Sequence, residues 1–256
     1  MQNHAWKYSM TATVLAALTV LVRWLQCETV FDEEGLAQPQ ALLSWVMTIT
    51  LIAAAAVLWW LSGRMTKAGV SSQEPETALA KPNREIGALL IAAAAVALIG
   101  TALLFLGEAG LMMRLTALLG LLAVLTPAAL PHLSRWGGFG AFLSVIPVVF
   151  FSLWLIIFYK NNAVNPTLWY YGPEVLAIAA CLMASYHVCG YLFYRINARN
   201  TLFSCGLALV FSLAIVTDPV SIATRLTLAG WGVACGAISW LLVRNFTPPE
   251  KEEAEY

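Results

Sequence analysis

Three arginines, Arg23, Arg114 and Arg225, each sit inside a hydrophobic run, near the end of that run that lies away from the basic loops. A guanidinium is always charged and presents five N–H donors, so at such a position it grips an anion, pairs with a carboxylate or reaches back to water. The same side of the chain gathers Glu28, Asp32, Glu33, Glu34, Glu108, Glu174 and Asp218, with Lys160 as the only further base. The chemistry open to this set is binding. Arg23, Arg114 and Arg225 would supply charge to a small polar or anionic solute in an outward-facing pocket, and Glu174 with Tyr170 and Tyr171 would shape its mouth. Arg114 and Arg225 are each expected to pair with an acid; Glu108 and Asp218 are nearest in sequence, and Glu174 competes. The structural alternatives are equally concrete. An arginine two turns below a helix end can snorkel to the interface, Glu174 after Pro173 reads as a first-turn acid, and Asp218 before Pro219 reads as an N-cap.

His187 is the other chemistry-bearing residue, the only histidine deep inside an apolar run. With Tyr186 it could relay a proton, although a neutral histidine bonded to a neighbouring helix is the commoner use. It lies thirteen residues beyond Glu174, about 20 Å along a helix and rotated by about 140°, so one helix cannot bring the two together. Cys181 and Cys189 flank it without a second ligand pair at zinc spacing, and His4 and His132 are too near the chain end and the membrane boundary to complete a haem. No metal or cofactor is expected. The five cysteines are an odd set, four of them inside apolar runs, where they act as small hydrophobes. Sequences of the H-E-x-x-H, G-x-S-x-G and G-x-x-x-x-G-K-[ST] kinds do not occur, and no recognisable reaction is encoded.

The elements that must position these residues follow from composition. Sixty per cent of residues are hydrophobic and 11% charged, more apolar surface than a water-soluble fold can cover. With no net charge and no basic cluster, nothing favours a nucleic-acid partner. A helix needs about 20 apolar residues to cross the hydrocarbon, and this rule places eight spans: Ser9–Gln26, Ala41–Leu61, Ile86–Leu106, Leu111–Leu130, Gly138–Tyr159, Pro173–Tyr194, Thr201–Thr217 and Ser221–Val243. The first resembles a signal peptide but lacks a small-x-small cleavage site and is read as a retained helix. Trp169-Tyr170-Tyr171 marks the headgroup level, and Gly172-Pro173 marks the start of the sixth helix. Tight hairpins are needed at Gly107–Gly110 and Asp218–Val220, since otherwise each run would be twice a membrane thickness.

The fold class is therefore an all-α polytopic transmembrane bundle, with residues 1–246 forming a single domain. The 62–85 connection, rich in Ser, Glu, Lys and Pro, is expected to be a mobile cytoplasmic loop, and 247–256 a disordered acidic cytoplasmic tail. Arg114-Leu-Thr and Arg225-Leu-Thr, each following an acid, echo one another across the two halves, but three matched residues do not establish a repeat.

Arg23-Trp-Leu-Gln26, Phe31-Asp32 with Gly35-Leu36, the Asn165-Pro-Thr167 loop and the helix carrying Tyr186 give the chain a resemblance to a family of eight-span bacterial integral membrane proteins with no assigned activity. The resemblance implies a multi-pass protein of the bacterial cytoplasmic membrane whose partner is the lipid bilayer, and it implies nothing about mechanism. Besides the solute-binding or transport reading, the alternative is a non-catalytic structural or assembly subunit of a membrane complex, with an intramembrane enzyme third.

Ten of the fourteen Lys and Arg residues fall on one side (Lys7, Arg64, Lys67, Lys81, Arg84, Arg135, Arg195, Arg199, Arg244, Lys251), against Lys160 alone in the opposite loops. Both termini are therefore expected in the cytoplasm. A C-terminal fluorescent fusion should light up in the cytoplasm and a C-terminal phosphatase fusion should stay silent; the reverse pattern would rule out an even number of spans with this orientation.

Overall fold

The computed structural model describes residues 2–30, 42–69, 71–72, 74–79, 82–107, 110–163 and 168–247, apart from the side chains of 2–4 and 168–170. It is helical throughout: α1 (Gln2–Thr29), α2 (Leu42–Ala68), α3 (Pro75–Ala78), α4 (Arg84–Leu106), α5 (Leu111–Ala123), α6 (Leu125–Leu133), α7 (Gly137–Leu143), α8 (Ile146–Asn162), α9 (Leu168–Leu192), α10 (Ala198–Ala214) and α11 (Ile222–Arg244). These make eight segments long and apolar enough to cross a membrane, because α5 with α6 and α7 with α8 act as single spans, each broken in the middle. The protein is a multi-pass integral membrane protein.

The breaks have a local cause. Proline cannot donate to the carbonyl four residues earlier, and Pro127 and Pro147 fall just after the two interruptions. Thr126 Oγ1 donates to Ala123 O at 2.7 Å, meeting the carbonyl that Pro127 leaves without a donor. Ser144 Oγ donates to Ala141 O at 2.6 Å across the second break.

Spans seven and eight, α10 and α11, form the centre; about 70% of each is buried, against roughly a third for the first five spans. Around them, α1 and α2 pack on α10, α9 packs on α10, and α4 lies along α11. The α4–α11 contact is close enough to need glycine. A Cβ at Gly230 would lie 2.6 Å from Ala97 N, and one at Gly100 would lie 2.4 Å from Thr227 N. Such contact is a common way for helices to associate in lipid, where no hydrophobic effect drives them together. The packing does not follow a two-fold division of the chain. α9 packs on α10, whereas α2 and α4, the equivalent pair in a repeat of spans one to four, make no comparable contact.

In the 62–85 connection α2 runs on to Ala68, and the described part beyond it is seated on the end of the bundle that carries the C-terminus of α11. Pro75, Ala78 and Leu79 are buried, Asn245 Nδ2 donates to Ala78 O at 3.0 Å, and the Ser71 and Tyr191 hydroxyls lie 3.3 Å apart. Three small apolar residues are too few to show periodicity in sequence, yet they fill the space left between helix ends. On this face Arg199 lies 3.9 Å from the Trp59 ring centroid and Arg64 5.0 Å from that of Trp60, the pairing of cations with aromatic rings expected at an interface. The acidic tail beyond Thr247 lies outside the described residues.

The tight α4–α11 contact predicts that Gly230→Ala costs about 1–3 kcal/mol through overpacking. Gly138→Ala, where an added Cβ meets nothing within 4 Å, should be silent. Thermal unfolding of the two variants in detergent checks this contrast.

Candidate functional site

The buried stripe of α1 runs Ala5, Tyr8, Ala12, Ala16, Thr19, Arg23, Gln26, Val30, stepping by three or four residues, so it faces the bundle along its whole length. Arg23 belongs to that stripe. Its side chain is fully buried and cannot snorkel outward. Nε donates to Asp218 Oδ1 at 2.6 Å and Nη2 to Asp218 Oδ2 at 3.0 Å, a two-point contact. Nη1 donates to Gln26 Oε1 at 2.7 Å, and Gln26 Nε2 donates to Ser44 Oγ at 3.1 Å. One polar network thus joins span one, span two and the hairpin between spans seven and eight.

Asp218 is available for this role because it does not cap α11. After α10 a short 3-10 turn, Ile215–Thr217, leads into Asp218 with extended backbone, and α11 begins four residues later, at Ile222. Ser221 is the N-cap, accepting from Thr224 N at 3.1 Å. The N-cap reading of Asp218 is thereby corrected: Pro219 is not the first helical residue, so the carboxylate is free to turn inward. Burial pushes the Asp218 carboxyl above the ordinary aspartate range, against the pull of the Arg23 guanidinium. The Cys27 thiol lies 3.8 Å from Asp218 Oδ1.

Glu174 is buried beside this pair, 7% exposed, and Asp218 acts on it electrostatically. No hydrogen bond or ion pair joins its carboxyl to another described residue. It is not the first-turn acid that Gly172-Pro173 suggested, since α9 already begins at Leu168 and carries Pro173 within it. A helix tolerates an early proline where the carbonyl it strands lies near the helix end.

Among the described residues neither Arg114 nor Arg225 forms an ion pair with an acid, and Glu108, the acid expected beside Arg114, lies outside them. Arg114 is exposed and its Nη2 donates to Gly107 O at 2.9 Å, while Arg225 Nε donates to Val220 O at 3.1 Å. Each folds back on the turn before its own helix, where carbonyls lack helical partners and a donor is met at short range. Arg225 still contributes to the field at Asp218. The three arginines therefore do not converge: Arg23 and Arg225 border Asp218, and Arg114 stands apart. Glu108, residues 32–34 and the side chain of Tyr170 lie outside the described residues.

Alongside Arg23 runs a cavity of about 390 Å³, lined by Arg23, Gln26, Leu51, Tyr159, Tyr171 and Pro173 among others. It exists because α2 packs on α1 and α10 while α8 packs on α9 and α5, leaving a gap between α2 and the α8–α9 pair. Apart from Arg23, Gln26, Thr48 and the tyrosine hydroxyls, its walls are apolar. Tyr186 and His187 lie elsewhere, in an open recess shared with Arg195 and Asn197 near the C-terminal end of α9 and the start of α10. Their rings meet edge to face at 5.3 Å. Among the described residues no three of His, Cys, Asp and Glu gather at metal-binding range.

Comparison with known proteins finds no matching family model, no matching curated protein and no matching solved structure. The site is therefore read from its own geometry. Arg23 was legible as a buried charge, whereas its partner, 195 positions away, was not. The clue available was Gln26, a second polar residue one turn along the same alanine stripe.

These placements predict opposite responses to one substitution. Arg23→Lys loses the two-point contact and should cost about 2 kcal/mol, in the range for hydrogen bonds to charged groups. Arg114→Lys, at an exposed position, should be nearly silent. Unfolding curves of the two variants in one detergent test the contrast.

Proposed function

We propose that this protein binds an amphiphilic, lipid-like molecule in the outward-facing gap between α2 and the α8–α9 pair. The observation that carries this reading is the cavity itself: about 390 Å³, with walls that are apolar apart from Arg23, Gln26, Thr48 and the hydroxyls of Tyr159 and Tyr171. A small, fully polar solute suits such walls poorly, so the sequence-based expectation narrows to a ligand with an apolar body and a polar end. The charge on Arg23 is already met by Asp218. The neighbouring carboxyl without a described partner is Glu174, within electrostatic reach of Asp218, and a hydrogen-bonding end group therefore suits the site better than an anion. Tyr171 lines the gap and offers a ring to the apolar body and a hydroxyl to the polar group. We place the protein in the bacterial cytoplasmic membrane on the loop charges and the family resemblance; passage of the ligand across the membrane is a further step that binding permits.

One observation favours the alternative, a scaffold subunit. Arg23 has all three of its nitrogens engaged, which is what a purely structural clamp requires. The two readings differ in what occupies the gap. Native mass spectrometry of protein extracted with its lipids should show an amphiphile bound one to one, and Leu51→Trp, which fills the gap without touching Arg23, should remove it at unchanged thermal stability. A wild type with no retained amphiphile, or retention unaffected by Leu51→Trp, would leave the clamp as the better account.

A further inference from the structure

A second cavity lies inside the bundle, where spans four and five are both interrupted. α5 ends at Ala123 and α6 starts at Leu125; α7 ends at Leu143 and α8 starts at Ile146. Between these breaks and the helices α9 and α11 is a space of about 20 Å³, lined by Thr126, Pro127, Ser144, Pro147, Ser185 and Trp231, among others. It shares no lining residue with the outward gap.

Two polar atoms at this cavity are unmatched. Ser185 Oγ and Trp231 Nε1 are buried and have no hydrogen-bond partner, with their residues 7% and 3% exposed. A buried polar atom left unmatched costs about 1–3 kcal/mol, and native structures leave few of them. The other polar side chains here are already engaged: Thr126 Oγ1 with Ala123 O, and Ser144 Oγ with Ala141 O and, at 3.1 Å, Cys189 Sγ.

The chemistry of the two unmatched atoms selects the occupant. An indole N–H only donates, so whatever meets Trp231 must accept a hydrogen bond, which excludes a metal ion or an ammonium. No arginine, lysine or histidine lines the space, so an anion would sit there without a counter-charge. A neutral molecule that accepts from the indole and exchanges a hydrogen bond with the serine fits, and a cavity of 10–15 Å³ or more admits a water. We propose that this cavity binds an ordered water molecule that bridges Trp231 of α11 and Ser185 of α9 at the broken middles of spans four and five. Irregular backbone at membrane depth persists only where protein buries it or where it borders water, and this site provides both. Cys189 lines both this cavity and the open recess of His187, Arg195 and Asn197, so the two spaces are neighbours.

Nuclear magnetic resonance of the 15N-tryptophan-labelled full chain in lipid nanodiscs tests the site. The Trp231 indole resonance is identified by its absence in Trp231→Phe or, should that variant not fold, by its displacement in Ile238→Val, a conservative change in the cavity wall. It is expected to show magnetisation transfer from water that survives soluble and lipid-borne paramagnetic agents, which broaden exposed indoles. Ser185→Ala, which removes one anchor and leaves the indole in place, is expected to reduce that transfer at least twofold. Absence of transfer in the wild type overturns the proposal, and so does transfer unchanged in Ser185→Ala.

Discussion

A guanidinium held inside a helical bundle at membrane depth loses its hydration, and the structure offsets that loss at one place. Arg23 is met at two points by Asp218 and at a third by Gln26, in a setting where neither charge has free access to water. A buried pair of this kind is weak evidence of stability gained, because desolvation cancels much of the attraction, but breaking it costs about 3–5 kcal/mol since one charge is then left alone. Its effect is on specificity. Only one arrangement of span one against the span seven–eight hairpin satisfies both partners, and Ser44 on span two is recruited through Gln26.

The same pair governs the character of the neighbouring gap. With Arg23 paired to Asp218, the space beside it is an apolar gap with few polar groups in its walls, and Glu174 is the neighbouring acid whose carboxyl has no described partner. The rest of the bundle supports this arrangement from the centre. Glycines bring α4 against α11, α10 and α11 are packed on nearly all sides, and the outer spans are free to leave a gap where α2 and α9 diverge.

The spans were legible because a bilayer imposes a length on apolar runs that no packing detail overrides; even the hairpins after Leu106 and before Ser221 followed from it. Interior contacts were not legible by the same means. Arg114 and Arg225 were expected to find carboxylates, and among the described residues each bonds instead a backbone carbonyl in the turn before its own helix, Gly107 O and Val220 O. Asp218 matched the N-cap pattern so well that its tertiary role was hidden, and only the start of α11 at Ile222 separates the two readings. The connection after α2 lacked any hydrophobic period, yet Pro75, Ala78 and Leu79 suffice to seat it on a surface already built. Pro127 and Pro147 stand in the sequence of spans four and five close to where each is interrupted, whereas the pairing of the two breaks around one cavity needed the third dimension.

The most direct measurement is a double-mutant cycle on the buried pair, read by thermal unfolding of Arg23→Met, Asp218→Leu and the combined variant in one detergent. If the pair organises the outer end as described, each single change leaves a buried charge uncompensated and is costly, while the double change replaces both with apolar groups and recovers most of the loss. A double variant as unstable as the sum of the two singles would contradict it.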